Sequence, residues 1–211
     1  VVHFYSATLV RIYSALDNHA KRACWTCIEM QERLSQLRKE YKQQGKPELV
    51  MRVGINTGEM VVGNMGSSTR MNYGMKGDSV NLAARLEGAN KQYGTCSLIS
   101  ESTYQQAKDF IEVRELDTLR VVGRATPIKI YELLGKKGDI EESLKKVLPE
   151  FNQGLSSYQN REWTEAKKHF ENALKIRPED GPSRIYSQRC EKFILEPPAQ
   201  TWDGVFNLST K

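Results

Sequence analysis

The stretch GDSVNLAARLEG, from Gly77 to Gly88, restricts the fold more than any other part of this chain. Gly77 interrupts the preceding pattern, and Asp78 is a typical N-cap residue whose carboxylate accepts hydrogen bonds from unpaired first-turn N–H groups. Gly88 is the predicted helix stop. The stretch therefore predicts a helix with one face in a core. Four apolar positions between its two ends follow the helical period: Val80, Leu82, Ala83 and Leu86.

Two polar residues on this helix, Asn81 and Arg85, are the candidate functional residues. They are four positions apart, so they project from one face of the helix. A hydrogen-bonding amide and a fixed cation near a helix start suit a ribose and a phosphate. For an arbitrary Asn and Arg pair, an exposed polar face without function is the commoner alternative, and the two residues alone leave both interpretations open.

A series of motifs around this helix resembles the class III adenylate and guanylate cyclase catalytic domain of the bacterial type. The resemblance covers roughly residues 1–135 and implies an α+β fold of the ferredoxin-like, palm type, with a mixed sheet and helices. The order of predicted elements agrees with an α+β class, since hairpins interrupt the alternation of strands and helices. The matching motifs are VGINTGE (53–59), VGN (62–64), GS (66–67), GDSVNLAARLE (77–87), YGT (93–95), ISESTY (99–104) and IYEL (130–133).

The resemblance implies an enzyme that converts ATP to cyclic AMP and pyrophosphate in intracellular signalling. The ribose 3′-hydroxyl of the substrate would attack its own α-phosphate. Asn81 would orient the ribose, and Arg85 would stabilise the α-phosphate in the transition state. Two divalent ions, Mg²⁺ or Mn²⁺, would activate the hydroxyl and hold the phosphates. The family also implies a head-to-tail homodimer, in which one chain supplies the metals and the other supplies Asn81 and Arg85.

Two positions depart from the family pattern and bear on substrate binding. Gly74 stands where the family has a base-reading side chain, which leaves adenine selection to backbone groups or to a neighbour such as Lys76. Val122 stands where the family has a Lys that grips the terminal phosphates. Arg124, two residues further on, is the candidate replacement, and an exposed turn residue without function is an equal alternative.

These departures keep two other functions open. The first is a guanylate cyclase, because Gly74 cannot select adenine. The second is a catalytically silent partner, in which the fold serves dimerisation and protein binding. Gly74 and Val122 favour the silent partner, whereas Asn81 and Arg85 oppose it.

The family places its metal-binding aspartates upstream of the first residues seen here, so no residue of this chain is predicted to hold a metal. The chain begins with Val1 rather than Met, in a strand-like pattern. We therefore expect an N-terminally incomplete fragment that is inactive alone. Bacterial relatives imply the cytoplasmic part of a larger, often membrane-anchored receptor. A net charge of +5 from dispersed basic residues disfavours a nucleic-acid surface.

The remaining patterns predict the other elements up to residue 135. His19 begins a long amphipathic helix and is interpreted as a polar cap. Cys24 and Cys27 lie inside that helix and are interpreted as small core residues. Helices are predicted at 19–44 and 100–108. Strands are predicted at 1–7, 50–57, 59–64, 70–75, 98–99, 111–115, 119–122 and 128–133, with 50–57 and 59–64 as a hairpin around Gly58.

Beyond residue 135 the pattern becomes fully helical. Residues 136–143 are the predicted linker, 144–195 the helical hairpin extension and 196–211 the tail. One tetratricopeptide-like repeat has too few neighbours to bury its faces. We therefore expect it to pack on the cyclase-like domain, on a dimer mate or on another protein partner. Seven residues resemble the signature positions of that repeat: Gly154, Tyr158, Trp163, Ala166, Phe170, Ala173 and Pro178.

Overall fold

The computed structural model describes residues 17–67, 69–120 and 127–207 of the 211-residue chain. The predicted strand at 1–7, Val122 and Arg124 lie outside the described residues. The elements, in chain order, are α1 (His19–Gln43), β1 (Val53–Ile55), β2 (Val61–Ser67), β3 (Arg70–Lys76), α2 (Asp78–Tyr93), β4 (Ser97–Ser100), α3 (Glu101–Ala107), β5 (Ile111–Arg120), β6 (Ile128–Lys136), α4 (Glu142–Gln159), α5 (Trp163–Ile176), α6 (Gly181–Leu195) and β7 (Phe206–Asn207).

The described strands form two sheets, and their arrangement confirms the α+β class. The main sheet has the order β1-β4-β6-β5-β7, while β2 and β3 form a separate two-stranded sheet. In the main sheet β1 is parallel to β4 and β7 is parallel to β5, while β4–β6 and β5–β6 are antiparallel. The sheet is therefore mixed, as the sequence predicts.

The predicted hairpin of 50–57 with 59–64 is wrong. β1 pairs with β4, and β2 pairs with β3 in register from Val61–Lys76 to Ser67–Arg70. Every residue of β1 is buried, whereas β2 is mostly exposed or half-buried. A strand that is buried on both faces is typical of a sheet covered by other layers. The residues around Gly58 indicate a turn, but they do not indicate which strand pairs with β1.

The helix that carries Asn81 and Arg85 is longer than predicted. It continues past Gly88 and ends at Tyr93, where Gly94 adopts a left-handed conformation with φ 68°. Gly88 lies on the exposed side of α2 with open space around it, so the helix tolerates it. The buried stripe simply continues beyond Gly88, through Ala89 to Tyr93.

The predicted cap of α2 is also wrong by one residue. Gly77 is the N-cap, with φ 150°, and Asp78 is the first helical residue without a side-chain cap bond. The Gly77 carbonyl accepts from the N–H groups of Val80 and Asn81, at 3.1 and 3.2 Å. Glycine suits this φ because it has no Cβ, and Asp78 still places a negative charge at the positive end of the helix.

Residues 111–120 form one strand, whereas the sequence predicts two. Register shifts against β6 lie between Glu112 and Val113 and between Glu115 and Asp117. The predicted break at residues 116–118 is therefore a bulge inside β5, and Leu116 at this bulge is fully buried. A bulge adds a residue without ending the strand.

Two apolar cores lie on opposite faces of the main sheet. Leu98 and Ile99 are neighbours on β4, and they belong to different cores. Ile99 packs with α1, including the buried residues Cys24 and Cys27, which agrees with their interpretation as core residues. Leu98 packs with α2, β5 and the three helices α4–α6, which we call the helical extension.

The helical extension packs against the rest of the chain, as the sequence analysis expects. Phe151, Phe170 and Tyr186 are fully buried in the same core as Leu86 and Leu116. Trp202, in the tail, contacts this core from the outer side.

Candidate active site

Asn81 and Arg85 share the exposed face of α2. Both residues are exposed. Leu82, directly after Asn81, and Leu86, directly after Arg85, are buried, with exposed fractions of 4% and 1%. The structure therefore brings the two predicted site residues together on one side of a helix. The other side of that helix is held in the core.

Backbone packing between α2 and β1 fixes this helix on the sheet. A Cβ atom at Gly54 would lie 2.2 Å from the carbonyl oxygen of Ala83 and 2.4 Å from the backbone nitrogen of Glu87. Only glycine permits such a close approach. On the same side, the buried Asn90 donates through Nδ2 to the Val53 carbonyl at 3.0 Å. The middle of α2 is therefore held at a defined distance from β1.

A polar network at the end of β1 holds the start of α2. Asn56 donates through Nδ2 to the Ser79 carbonyl at 3.0 Å. Ser102 donates to Asn56 Oδ1 at 3.1 Å and to the Thr57 carbonyl at 2.7 Å. A Cβ at Gly58 would lie 2.3 Å from Ser79 Oγ. The loop at 56–58 thus joins the first turns of α2 and α3.

The supporting role of Asn56, Thr57 and Gly58 is not among the predictions made from the sequence. Asn56, Thr57 and Gly58 lie in the quoted motif VGINTGE, directly after a buried strand. Polar residues and a glycine at the end of a buried strand are typical of loops that position functional groups. That pattern is the signal that could have identified them.

Two cavities flank the loop at 56–58. The first, of about 320 Å³, lies between α1, the loop and α2, and is lined by His19, Met75 and Val80 among others. The second, of about 650 Å³, reaches Glu101 and Lys129. Asn81, Arg85 and Gly74 line neither cavity. Asn81 and Arg85, which are both exposed, therefore project away from these two cavities. His19 is the first residue of α1, as predicted, but its interpretation as the cap is wrong, because Asn18 is the N-cap.

Gly74 lies on β3, the strand that leads into α2. It pairs with Gly63 on β2. Among the described residues, a Cβ at Gly74 would meet only Met65 Sδ, at 3.9 Å, which is an ordinary van der Waals contact. The position therefore has room for a side chain. Arg124, the other candidate substrate-binding residue, lies outside the described residues.

The sequence resemblance implies two divalent ions, and it places their ligands upstream of the residues seen here. Across residues 17–67, 69–120 and 127–207 there is no group of three or more His, Cys, Asp or Glu side chains that could hold a metal. No chemical step is therefore assigned to a metal-bound group.

Within residues 17–67, 69–120 and 127–207, no helix combines the length and apolarity needed to cross a bilayer.

The fold and the site define an α+β domain in which a hairpin leads into a glycine-capped helix that presents an amide and a guanidinium. This chain belongs to the adenylate and guanylate cyclase catalytic domain family, which residues 8–135 match.

Named relatives agree with this assignment. Adenylate cyclase 1 of Rhizobium meliloti is 38% identical over 138 residues, which are 64% of this chain and 21% of the relative. The terminal-differentiation-specific adenylate cyclase of Dictyostelium discoideum is 35% identical over 142 residues, which are 65% of this chain and 7% of that protein. The chain thus spans about a fifth or less of these two relatives.

Two solved structures share the fold at 34% identity. The guanylyl cyclase Cya2 has a TM-score of 0.53 and is matched over 60% of this chain and 63% of its own. The adenylyl cyclase CyaB from P. aeruginosa has a TM-score of 0.52 and is matched over 61% of this chain and 65% of its own.

Proposed function

We propose that this chain is a nucleotide cyclase module that converts ATP to cyclic AMP and pyrophosphate in intracellular signalling. The observation that carries the proposal is the exposed pair Asn81 and Arg85 on α2, a helix held by backbone contact at Gly54 and by the loop at 56–58. Rigid support of this kind is what a site needs if its groups are to meet a transition state. The matched relatives named above as adenylate cyclases favour ATP.

In this proposal each of the two residues has a separate task. The Asn81 amide hydrogen-bonds the ribose and orients its 3′-hydroxyl toward the α-phosphate. The Arg85 guanidinium stabilises the negative charge that grows on the α-phosphate oxygens as the new bond forms. Two divalent ions, Mg²⁺ or Mn²⁺, would supply activation of the hydroxyl and neutralisation of the phosphates when bound. Their ligands are expected upstream of the residues seen here, so we assign no residue of this chain to them.

We further propose a head-to-tail homodimer with the nucleotide between the two chains. The support comes from the β2–β3 hairpin, which stands apart from the main sheet. Val61, Met71 and Tyr73 on this hairpin are 70%, 63% and 52% exposed. A two-stranded hairpin is marginally stable alone, and a second copy of the chain would cover these apolar side chains. The second copy would also cover the solvent-exposed face of α2 that carries Asn81 and Arg85.

A guanylate cyclase is the second candidate function. Gly74 supports it, because this position has room for a side chain but carries none. Cya2, named a guanylyl cyclase, is as similar to this chain as CyaB, named an adenylyl cyclase. Turnover of ATP and of GTP, each measured with Mg²⁺ and with Mn²⁺, decides between the two substrates.

The division of the chain into domains and the cellular location of the protein are also proposals. We propose that residues 1–135 form the cyclase domain, 136–143 the linker, 144–195 a tetratricopeptide-like extension with a protein partner, and 196–211 the tail. We also propose that the protein acts in the cytoplasm as part of a larger receptor. The inactivity expected of residues 1–211 alone stays a prediction. Cyclic nucleotide formed by this purified chain, above a blank, would contradict it.

The test of the main proposal is Arg85→Ala in the full-length protein. We expect kcat to fall by about 100- to 1000-fold with KM little changed, because the lost donor acts mainly in the transition state. Arg33→Ala is the matched control, since Arg33 is an exposed arginine on α1. An Arg85→Ala enzyme with unchanged kcat and a raised KM would make Arg85 a ground-state binder instead.

A further inference from the structure

The C-terminal end of α2 is joined to the helical extension by a buried polar cluster. Tyr93, at the end of α2, donates through its hydroxyl to Asp117 Oδ2 at 2.5 Å. Arg189, on α6, donates through Nη1 to the same oxygen at 2.7 Å. Asp117 lies on β5. We call these three residues the Asp117 cluster, and they connect one helix of the catalytic domain, one strand and one helix of the extension.

The cluster is largely removed from solvent. Tyr93 is 0% exposed, and the side chains of Asp117 and Arg189 are 4% and 14% exposed. Burial, followed by the neighbouring Asp117 charge, raises the pKa of the Tyr93 phenol well above its ordinary value. Tyr93 therefore remains a neutral donor. Asp117 Oδ1 accepts from the Thr118 backbone N–H at 2.8 Å, so both oxygens of the carboxylate are held.

Direct backbone contact joins the same two helices. Gly94 ends α2, and Gly181 begins α6. A Cβ at Gly181 would lie 2.5 Å from the carbonyl oxygen of Tyr93 and 2.9 Å from Gly94 Cα. The two helix ends therefore touch through their backbones, and a displacement of α6 passes directly to the end of α2.

A second buried ion cluster fixes α6 on the sheet. Arg114 on β5 donates through Nη1 to both oxygens of Asp180, at 3.0 and 2.9 Å, and also binds Glu132. Asp180 is the N-cap of α6 and accepts from Ser183 N. Breaking one partner of a buried pair is costly, whereas replacing the whole pair by apolar residues is often neutral. Such a cluster is therefore suited to fixing orientation.

The position of the Asp117 cluster on α2 gives it a consequence for the site. Tyr93 follows Arg85 by eight residues, which is about 12 Å along a helix. A helix is stiff over this distance, so rotation or sliding at Tyr93 moves Arg85 and Asn81 as well. Gly54 and Asn90 hold the middle of α2 against β1, and Asn56 holds its first turn. The Asp117 cluster holds the remaining, C-terminal end of the helix.

We propose that Tyr93, Asp117 and Arg189 are positioning residues, through which the helical extension sets the orientation of α2 and thereby the placement of Asn81 and Arg85. This inference rests on the proposed cyclase function. The helical extension is then a part of the catalytic unit, and a partner that displaces α6 would change the turnover rate through α2.

The test compares Tyr93→Phe and Arg189→Met with the wild type in the full-length protein, well below the melting temperature. We expect kcat to fall about tenfold in each variant with little change in KM, because a misplaced Arg85 loses contact mainly with the transition state. Arg189→Lys should restore part of the loss. Arg184→Met is the matched control, since Arg184 is an exposed arginine on the same helix. Tyr93→Phe removes a single oxygen atom. We therefore expect it to fold and to test the proposal even if Arg189→Met does not fold.

A double-mutant cycle separates this inference from the proposed function. In an Arg85→Ala background, Arg189→Met should have little further effect on kcat, because the residue being positioned is absent. Unchanged kcat in both Tyr93→Phe and Arg189→Met, with only the melting temperature lowered, would overturn the positioning role. If the Arg85→Ala enzyme is inactive in the same experiments, the proposed cyclase function still holds and only the positioning role is excluded. If the Arg85→Ala enzyme is fully active, the proposed function itself is excluded.

Discussion

At the scale of single residues, Gly54 carries the tightest constraint on the candidate site. Its missing side chain lets β1 and α2 touch through their backbones. We expect Gly54→Ala to destabilise the protein by about 3 kcal/mol, because neither the Ala83 carbonyl nor the Glu87 N–H can move without shifting the helix. Urea denaturation of the purified variant measures the change in the free energy of unfolding.

Gly88→Ala is the matched control on the other side of the same helix. Gly88 is exposed with open space around it, so alanine should raise the free energy of unfolding by up to about 1 kcal/mol through helix propensity. Equal effects of the two substitutions would show that the close approach at Gly54 does not limit the packing of α2.

Gly74 is the residue at which base selection can be altered. Gly74→Thr or Gly74→Asp would add an acceptor at the proposed base-reading position, where the one described neighbour of an added Cβ is Met65 Sδ at 3.9 Å. We expect the ratio of kcat/KM for ATP to that for GTP to rise roughly five- to thirtyfold, the worth of about one good hydrogen bond. Competing ATP and GTP assays on the full-length protein measure this ratio.

Gly63→Thr provides the comparison for Gly74. Gly63 is opposite Gly74 in the hairpin, and none of the described residues lies within 4 Å of its added Cβ. We expect this change to leave the ATP-to-GTP ratio unaltered. If the ratio also stays constant in both Gly74 variants, the base is read elsewhere, and the assignment of Gly74 to that role is wrong.

At the scale of elements, the attachment of α6 depends on the Arg114–Asp180 pair. Burial alone would raise the pKa of Asp180, but the Arg114 charge and the hydrogen bonds to Arg114 and Ser183 outweigh it, so the pKa lies below its ordinary value of 3.8. A carboxyl group with a lowered folded-state pKa contributes stability that is present above the ordinary value and is lost as pH falls through the folded-state value.

Asp180→Asn tests this attachment because asparagine can still cap the helix while the charge is lost. We expect the variant to be less stable by roughly 3 kcal/mol at neutral pH, since Arg114 loses a buried partner. The difference from wild type should shrink as pH falls below 3.8. Denaturant melts between pH 7 and pH 2.5 measure it, with the exposed Asp109 changed to Asn as the control. A difference that does not vary with pH would exclude the ion pair as its cause.

At the scale of the whole molecule, the helical extension completes the core on one face of the sheet. Phe151 and Tyr186 are buried together with Leu86 and Leu116, and the Tyr186 hydroxyl donates to the Leu116 carbonyl at 2.8 Å. Removal of the extension would therefore uncover a large part of α2 and β5. An apolar surface of that extent promotes aggregation.

We expect the chain truncated after Gly135 to melt at a lower temperature and to associate or precipitate more readily than residues 1–211. Truncation after Leu195, which removes only the tail with Trp202, should cost less stability. Thermal melting and light scattering on the three proteins measure both effects. Equal stability and equal association state of the 1–135 and 1–211 proteins would show that the extension is an independent module.

The sequence by itself determined the features that depend on near neighbours. Asn81 and Arg85 share a face of α2 because of the helical period. The predicted helices at 19–44 and 100–108 match α1 and α3 to within a residue, because caps and period are properties of a few consecutive residues. The apolar content of the predicted extension was enough to indicate that it must pack on folded protein.

Only the tertiary structure decided how distant segments meet. β1 pairs with β4 rather than with β2, because burial on both faces of the sheet outweighs the local turn signal at Gly58. The Asp117 cluster joins positions that are 24 and 72 residues apart, and no periodicity of the sequence relates them. Local patterns choose helices and strands, whereas strand order and buried ion pairs depend on which surfaces exclude water together in the folded chain.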